Sequence, residues 1–291
     1  MNCQKLVEEK VGSVLPARTK YLWFDADTLI YLCALREAYL DLPLECAPVL
    51  VSKAMDRLKV TAERKLGHPV VFVNCLSTSH TFRHDINPDY KSNRVGKWRP
   101  PLLATYIEAF KELYPYILVD GYEADDLVGI LHHNIPGHVM CSGDKDLKQF
   151  PGLHFNPRTE EVYTITEQES INFRLYQWLV GDSADGYPGA YLIGDKKAAR
   201  IIEELDGEPF KVMVDEINGI FDAQNQKAKA KGRSPQDAEQ NFQMSQIRCY
   251  FGQETIPDKV LFLSSSITPG QSYEDISEIQ SDTLCNSGHG G

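Results

Sequence analysis

The stretch Gly121-Tyr122-Glu123-Ala124-Asp125-Asp126-Leu127-Val128 constrains this chain more than any other. It follows the apolar run Ile117-Leu118-Val119, which reads as a strand. It leads into residues 124–134, where Leu127, Ile130 and Leu131 recur at helical spacing. The carboxylates of Glu123, Asp125 and Asp126 therefore sit where a strand turns into a helix. A like-charged pair about 5 Å apart costs on the order of 3 kcal/mol at an effective dielectric near 20. An acidic first helical turn is the plain reading, since the helix dipole favours it. That reading leaves the recurrence of such clusters unexplained: Asp25-Ala26-Asp27, Asp144-Lys145-Asp146 and Asp182-Ser183-Ala184-Asp185. All but the last follow an apolar, strand-like run. Carboxylates at the carboxyl ends of strands in an open α/β sheet point into one crevice. Hard oxygen donors of this kind suit Mg²⁺ or Mn²⁺, not Zn²⁺.

The rest of the chain supplies the frame for that crevice. Strands are predicted at Tyr21-Leu22-Trp23-Phe24, at 69–73, at 117–119, at 138–141 and near Val162-Tyr163. Helices are predicted over 28–40, 48–65, 102–113 and 124–134 between them. This alternation to about residue 165 predicts an α/β fold, a mainly parallel central sheet with helices on both faces. From Glu167 the pattern turns helical, with helices at 171–180, 194–205 and 243–251. Residues 1–20 read as a loose arm or short helix, 21–166 as the core and 167–263 as a helical region. Within the last, Val260-Leu261-Phe262-Leu263 is expected to rejoin the core, and 264–291 is expected to be a disordered acidic tail.

A net charge of −11 at first argues against a polyanionic partner, but much of it lies in the four clusters and in the acidic tail. The seven cysteines form no Cys-x-x-Cys pair, so neither a disulfide framework nor a zinc site is expected, and a reducing compartment is the simplest reading. The polar start, Met1 to Lys10, is not a signal peptide, and no apolar run approaches a membrane span. His132-His133 read as exposed helix residues.

Positive charge is concentrated locally. Phe82, Arg83, Tyr90, Lys91, Arg94, Lys97, Trp98 and Arg99 interleave cations with rings. This suits a flexible single strand, cations on phosphates and rings on bases, although a solvated loop has the same composition. Gly194-Asp195-Lys196-Lys197 opens a helix and offers backbone N–H groups to a phosphate; an ordinary interhelical turn is the alternative. Residues 218–241, with Lys227, Lys229, Lys231 and Arg233, are either a solvated helix or a flexible insertion.

Taken in order, Phe24-Asp25, Phe82-Arg83, Tyr90-Lys91-Ser92-Asn93-Arg94, Glu123-Ala124-Asp125-Asp126, Gly143-Asp144-Lys145-Asp146 and Gly181-Asp182-Ser183-Ala184-Asp185-Gly186 resemble the phage-type 5′→3′ exonucleases of the flap-endonuclease superfamily. The 5′-nuclease domain of bacterial DNA polymerase I belongs there too. The likeness runs from about residue 20 to about 205. It implies a PIN-like nuclease core followed by a duplex-binding region. It implies that Asp25, Glu123 and Asp125 hold a first divalent metal and Asp144, Asp146 and Asp185 a second, with Asp126 and Asp182 as further acidic positions. Lys91 and Arg94 would touch the scissile phosphate, and Tyr90 would stack on the terminal base. Arg83 would join the DNA contacts. Gly186 to Ala198 would form a helix–turn–helix element gripping duplex DNA through Gly189, Gly194, Lys196 and Lys197, with K⁺ at its loop. The implied partner is DNA with a 5′ end or flap, or an RNA–DNA hybrid. The implied setting is cytoplasmic, the host cytoplasm if the chain is phage-encoded.

Thr78 stands where the family pattern has a metal-associated Asp, the loop before Gly194 is longer than the family's, and the stretch from Arg94 to Pro101 leaves little room for a threading arch. Two other enzyme readings compete. Phe24-Asp25-Ala26-Asp27 also resembles the Asp-x-Asp motif of haloacid-dehalogenase-like phosphatases, with Asp25 as nucleophile. That chemistry leaves Asp182, Asp185 and the Tyr90–Arg94 motif unused. A PIN-type ribonuclease is a nearer relative. The non-enzyme reading is a structure-specific DNA-binding protein whose nuclease site has decayed at Thr78.

Overall fold

Alternate residues of the first strand face two different cores, which places the sheet in the middle of the molecule. The computed structural model describes residues 1–12, 18–40 and 43–252. In β1 (Lys20–Asp25), Leu22 and Phe24 enter one apolar cluster while Tyr21 and Trp23 enter another. Its partners are β2 (Val70–Cys75) on one side and β4 (Val139–Cys141) on the other, both parallel. β3 (Tyr116–Ile117) and β5 (Gly152–Asn156) extend the sheet in parallel, and β6 (Glu161–Ile165) closes it antiparallel. The order is β3-β2-β1-β4-β5-β6.

On one face lie α2 (Ala26–Leu40), α3 (Ala47–Leu66) and α5 (Leu103–Leu113). On the other lie α1 (Cys3–Val11) and α6 (Ala124–Asn134). The short α4 (Phe82–Ile86) follows β2. A third core is built by α7 (Glu167–Val180), α8 (Asp195–Leu205), α9 (Phe210–Ala230) and α10 (Ala238–Ser245) around Trp178, Phe221 and Phe242. Among the described residues no helix is long and apolar enough to cross a membrane.

The differences from the sequence expectations have physical causes. β5 escapes notice because Gly152 and His154 interrupt its apolar pattern; pairing with β6 from Gly152–Ile165 to Asn156–Glu161 makes it a strand. The third strand ends at Ile117, and Leu118 beyond it is exposed. α9 begins before Asn218, where Met213, Val214 and Ile217 bury one stripe; beyond it Phe221 and Ala228 continue the stripe while Lys227 and Lys229 stay exposed, so 218–230 is a helix with a solvated face. The final helix ends at Ser245 rather than near 251. After it, Ile247 N–H donates to Gln149 Oε1 and Arg248 N–H to Asp126 Oδ1, so side chains replace the helical ladder. His132 is buried, not exposed, with Nε2 2.8 Å from the Pro151 carbonyl. Burial also pushes His133 down to about 4. Residues 253–291, including the segment 260–263 and the tail, lie outside the described residues.

Candidate metal and nucleic-acid site

β1, β2, β3 and β4 run parallel, so their carboxyl ends share one edge of the sheet, and the acidic clusters gather there. Asp25 ends β1 and is 8% exposed. Its carboxylate accepts from Asp27 N–H at 3.2 Å, Thr28 Oγ1 at 3.4 Å and Ser142 Oγ at 3.3 Å. Ser142 follows β4 and its Oγ also accepts from Asp144 N–H, so Asp25 and Asp144 are tied through one hydroxyl. Asp144 caps the short 3-10 turn Lys145–Gln149 by accepting from Asp146 N–H. Gln177 of α7 donates to Asp146 at 2.6 Å.

The N-terminal turn of α6 supplies the next group. Glu123 caps the helix, and the facing oxygens of Glu123, Asp125 and Asp126 lie within 4.8 Å of one another. Tyr90 Oη donates to Glu123 at 2.7 Å and lies 3.3 Å from Asp185 Oδ2, so one phenol bridges α6 and the loop after α7. Lys91 Nζ is 2.5 Å from Glu123 and Arg94 Nη2 is 2.6 Å from Asp185. Lys91 holds a left-handed backbone, φ 54°, and its N–H donates to Asp185 O. Such a conformation in a non-glycine residue persists where its surroundings over-determine it. Gly186 allows the approach, since a Cβ there would lie 3.3 Å from Asp89 O.

The electrostatics follow from burial and crowding. Burial, then Asp27 and Asp144, pushes Asp25 up to about 7. Burial, then Asp144, pushes Asp146 up to about 7. Asp125 is driven well above the usual range by burial, then by Asp126 and Glu123. Glu123 is the exception: burial would raise it, but Arg83 and Lys91 hold it below its ordinary value. A set of oxygen donors whose charges oppose one another to this degree fits a hard divalent cation.

The family described as 5′-3′ exonuclease, N-terminal resolvase-like domain, matches residues 49–173. That match covers less than half of the chain. Bacillus caldotenax DNA polymerase I is 28% identical over 187 residues, covering 55% of this chain and 20% of the polymerase. The exodeoxyribonuclease of Enterobacteria phage T3 is 30% identical over 166 residues, 53% of this chain and 54% of that enzyme. The chain thus spans less than two thirds of either relative. A structure of T5 5′-exonuclease with bound divalent metal ions (zinc) matches in fold, with TM-score 0.54 and 18% identity, over 78% of this chain and 89% of that one.

Four residues expected to meet ligand are engaged within the fold. Arg83 is 3% exposed and lies inside, not on a DNA surface. Its guanidinium grips Asp126 with two bonds, at 2.7 and 3.0 Å, and reaches the Gln246 carbonyl. Asp126 is thereby filled: it also accepts from Glu123 N–H and Arg248 N–H, and it is 0% exposed. Those bonds come from Arg83 and two backbone N–H groups, beside the oxygens of Glu123 and Asp125. Gly189 is buried and its N–H donates to Asn241 Oδ1 at 2.8 Å, so that group does not face a phosphate. Tyr90 is also buried, its hydroxyl turned to the carboxylates and its ring edge-on to His84.

The other expected residues are placed openly. Gly194, Lys196 and Lys197 line a shallow hollow of 320 Å³ at the start of α8, with Lys197 Nζ 3.0 Å from Leu192 O. Asp182 accepts from Lys145 at 3.4 Å at the rim. Lys97, Trp98 and Arg99 form an exposed link, with Trp98 62% exposed. Asp27 and Ser77 were not singled out from the sequence. The signal was in view for Asp27, inside the Asp25-Ala26-Asp27 cluster; Ser77 carried none.

Proposed function

We propose that the chain is a divalent-metal-dependent 5′→3′ exonuclease and flap endonuclease that hydrolyses DNA phosphodiester bonds from a 5′ end. The observation that carries this reading is Tyr90 bridging Glu123 and Asp185, with Lys91 and Arg94 alongside. Carboxylates from separate strand ends and two cations then share one edge of the sheet. Two Mg²⁺ or Mn²⁺ ions, one toward Asp25, Glu123 and Asp125 and one toward Asp144, Asp146 and Asp185, would lower the pKa of the attacking water and offset charge on the leaving 3′-oxygen. Lys91 and Arg94 neutralise charge building on the scissile phosphate. Tyr90 holds Glu123 and Asp185 at a fixed separation. Lys196, Lys197 and the N-terminus of α8 bind duplex phosphates, with α7, the turn after it and α8 acting as the helix–turn–helix element. K⁺ at that turn would compete with the Lys197 ammonium for the Leu192 carbonyl. Trp98 stacks a single-stranded base beside Lys97 and Arg99. The biological setting is phage DNA replication or primer removal in the host cytoplasm, with RNA–DNA hybrids as further substrates.

The deciding assay uses 5′-labelled duplex, flap and hybrid substrates with Mg²⁺, Mn²⁺ or EDTA. Labelled mononucleotides or short 5′-phosphorylated products, formed only with metal, are expected. Full activity after exhaustive EDTA treatment, or no cleavage with either metal, refutes the reading.

A further inference from the structure

We infer that Asp27, positioned by Ser77, is an anionic ligand of the first divalent-cation site. This inference rests on the metal-dependent reading above. Asp27 lies in the first turn of α2 and its N–H donates to Asp25 Oδ1 at 3.2 Å. Its own Oδ2 accepts from Ser77 N–H at 3.1 Å. Ser77 Oγ in turn accepts from Ala124 N–H at 2.8 Å, and Ala124 sits between Glu123 and Asp125. One relay, Asp27–Ser77–Ala124, therefore joins the ends of β1 and β2 to the acidic turn of α6. The Asp27 carboxylate is thereby tied through Ser77 to the segment that carries Glu123 and Asp125.

Thr78 does not occupy this place. Its N–H donates to Tyr122 O, and its hydroxyl lies 2.8 Å from His80 O and 3.1 Å from Tyr122 O. A hydroxyl has one proton, and here carbonyls of the chain compete for it. The neutral residue at position 78 is thus a loop tie, and the negative charge of this corner comes from Asp27. A carboxylate offers about four lone-pair positions, and the Ser77 N–H and hydroxyl use two, so capacity for a cation remains. The environment agrees: Asp27 is raised by burial, Glu123 adds to the rise and Lys91 opposes it, so all three share one field.

The rival explanation is that Asp27 only accepts the Ser77 N–H. Asp27→Asn separates the two, because an amide oxygen keeps that acceptor and loses the charge. The measurement is Mn²⁺ binding to the full chain without DNA, by calorimetry and by the paramagnetic signal of free Mn²⁺. Wild type is expected to bind Mn²⁺, and Asp27→Asn to weaken the tighter site by at least about 10-fold, since affinity for hard ions follows ligand charge. The metal-free melting temperature of Asp27→Asn is expected to equal or exceed that of wild type. Thr78→Asp in the Asp27→Asn background is expected to leave the loss in place, because position 78 is turned to His80 and Tyr122. Wild-type affinity in Asp27→Asn, or full recovery by Thr78→Asp, overturns the inference. Absence of Mn²⁺ binding in wild type overturns the metal-dependent reading itself, a different result from either.

Discussion

Lys91 is the residue on which several constraints converge. Its left-handed backbone, its N–H on Asp185 O and its ammonium on Glu123 all place one cation among the carboxylates. If that cation stabilises the transition state, Lys91→Ala lowers single-turnover rate by roughly 100-fold or more while duplex affinity falls much less. Rate and affinity measured on one substrate decide the matter; a proportional loss of affinity at unchanged rate would make Lys91 a tether. Arg83 illustrates the opposite lesson. Read as one of a string of basic residues it belongs on the surface. Its fork geometry matches the two oxygens of Asp126, and a buried pair of this kind is costly to break from one side.

At the scale of elements, the loop between α7 and α8 carries Asp182 and Asp185, and its shape depends on two interlocked glycines. Gly181 has φ +72° and a Cβ there would lie 2.3 Å from Gly189 N. Gly189 has φ +67° and a Cβ there would lie 2.4 Å from Val180 C. Backbone meets backbone at both, so nothing can yield cheaply. Gly181→Ala or Gly189→Ala is expected to destabilise the protein by about 3 kcal/mol or more, the range of strained backbone plus overpacking. Urea unfolding checks this, and a loss under about 1 kcal/mol would contradict the interlock. The turn residues in this loop are legible in the sequence as turn formers. Their mutual contact is not, because it joins two segments that only the fold brings side by side.

Over the whole molecule, charge crowding links stability to pH. Asp25 and Asp146 are pushed up to about 7, by burial first and neighbouring carboxylates second. Their unfolded values lie near 3.9. The folded state then binds more protons than the unfolded chain between roughly pH 4 and pH 7. This contribution is full below pH ~4 and is lost as pH rises through 7. Burial lowers His133, His138 and His154 to about 4, with the opposite sign: their contribution is lost as pH falls from roughly 6.5 to 4. Asp146→Asn isolates the carboxylate part. In EDTA at pH 8 it is expected to melt several degrees above wild type, with the gap closing at pH 5. Melting curves at the two pH values test this, and an equal gap at both would contradict it.

The strand–helix alternation and the places where carboxylates cluster were legible in the chain alone. Both arise from local order: apolar periodicity makes a strand, and the residues after it lie at the strand's end. That is why Asp25, Glu123, Asp125, Asp144 and Asp146 read as residues of one sheet edge from the chain alone. What the fold alone decided is which of the charged groups face one another. Arg83 turns inward because residues 246–248, far along the chain, supply the carbonyl and N–H that complete its pairing with Asp126. The stretch 246–250 leaves the helix because Gln149 and Asp126 offer it side-chain partners. Asp27 joins the site because Ser77, the product of another strand end, reaches both it and Ala124. Each of these is a hydrogen bond between residues distant in sequence, and its energy exists only once the sheet has brought their strand ends together.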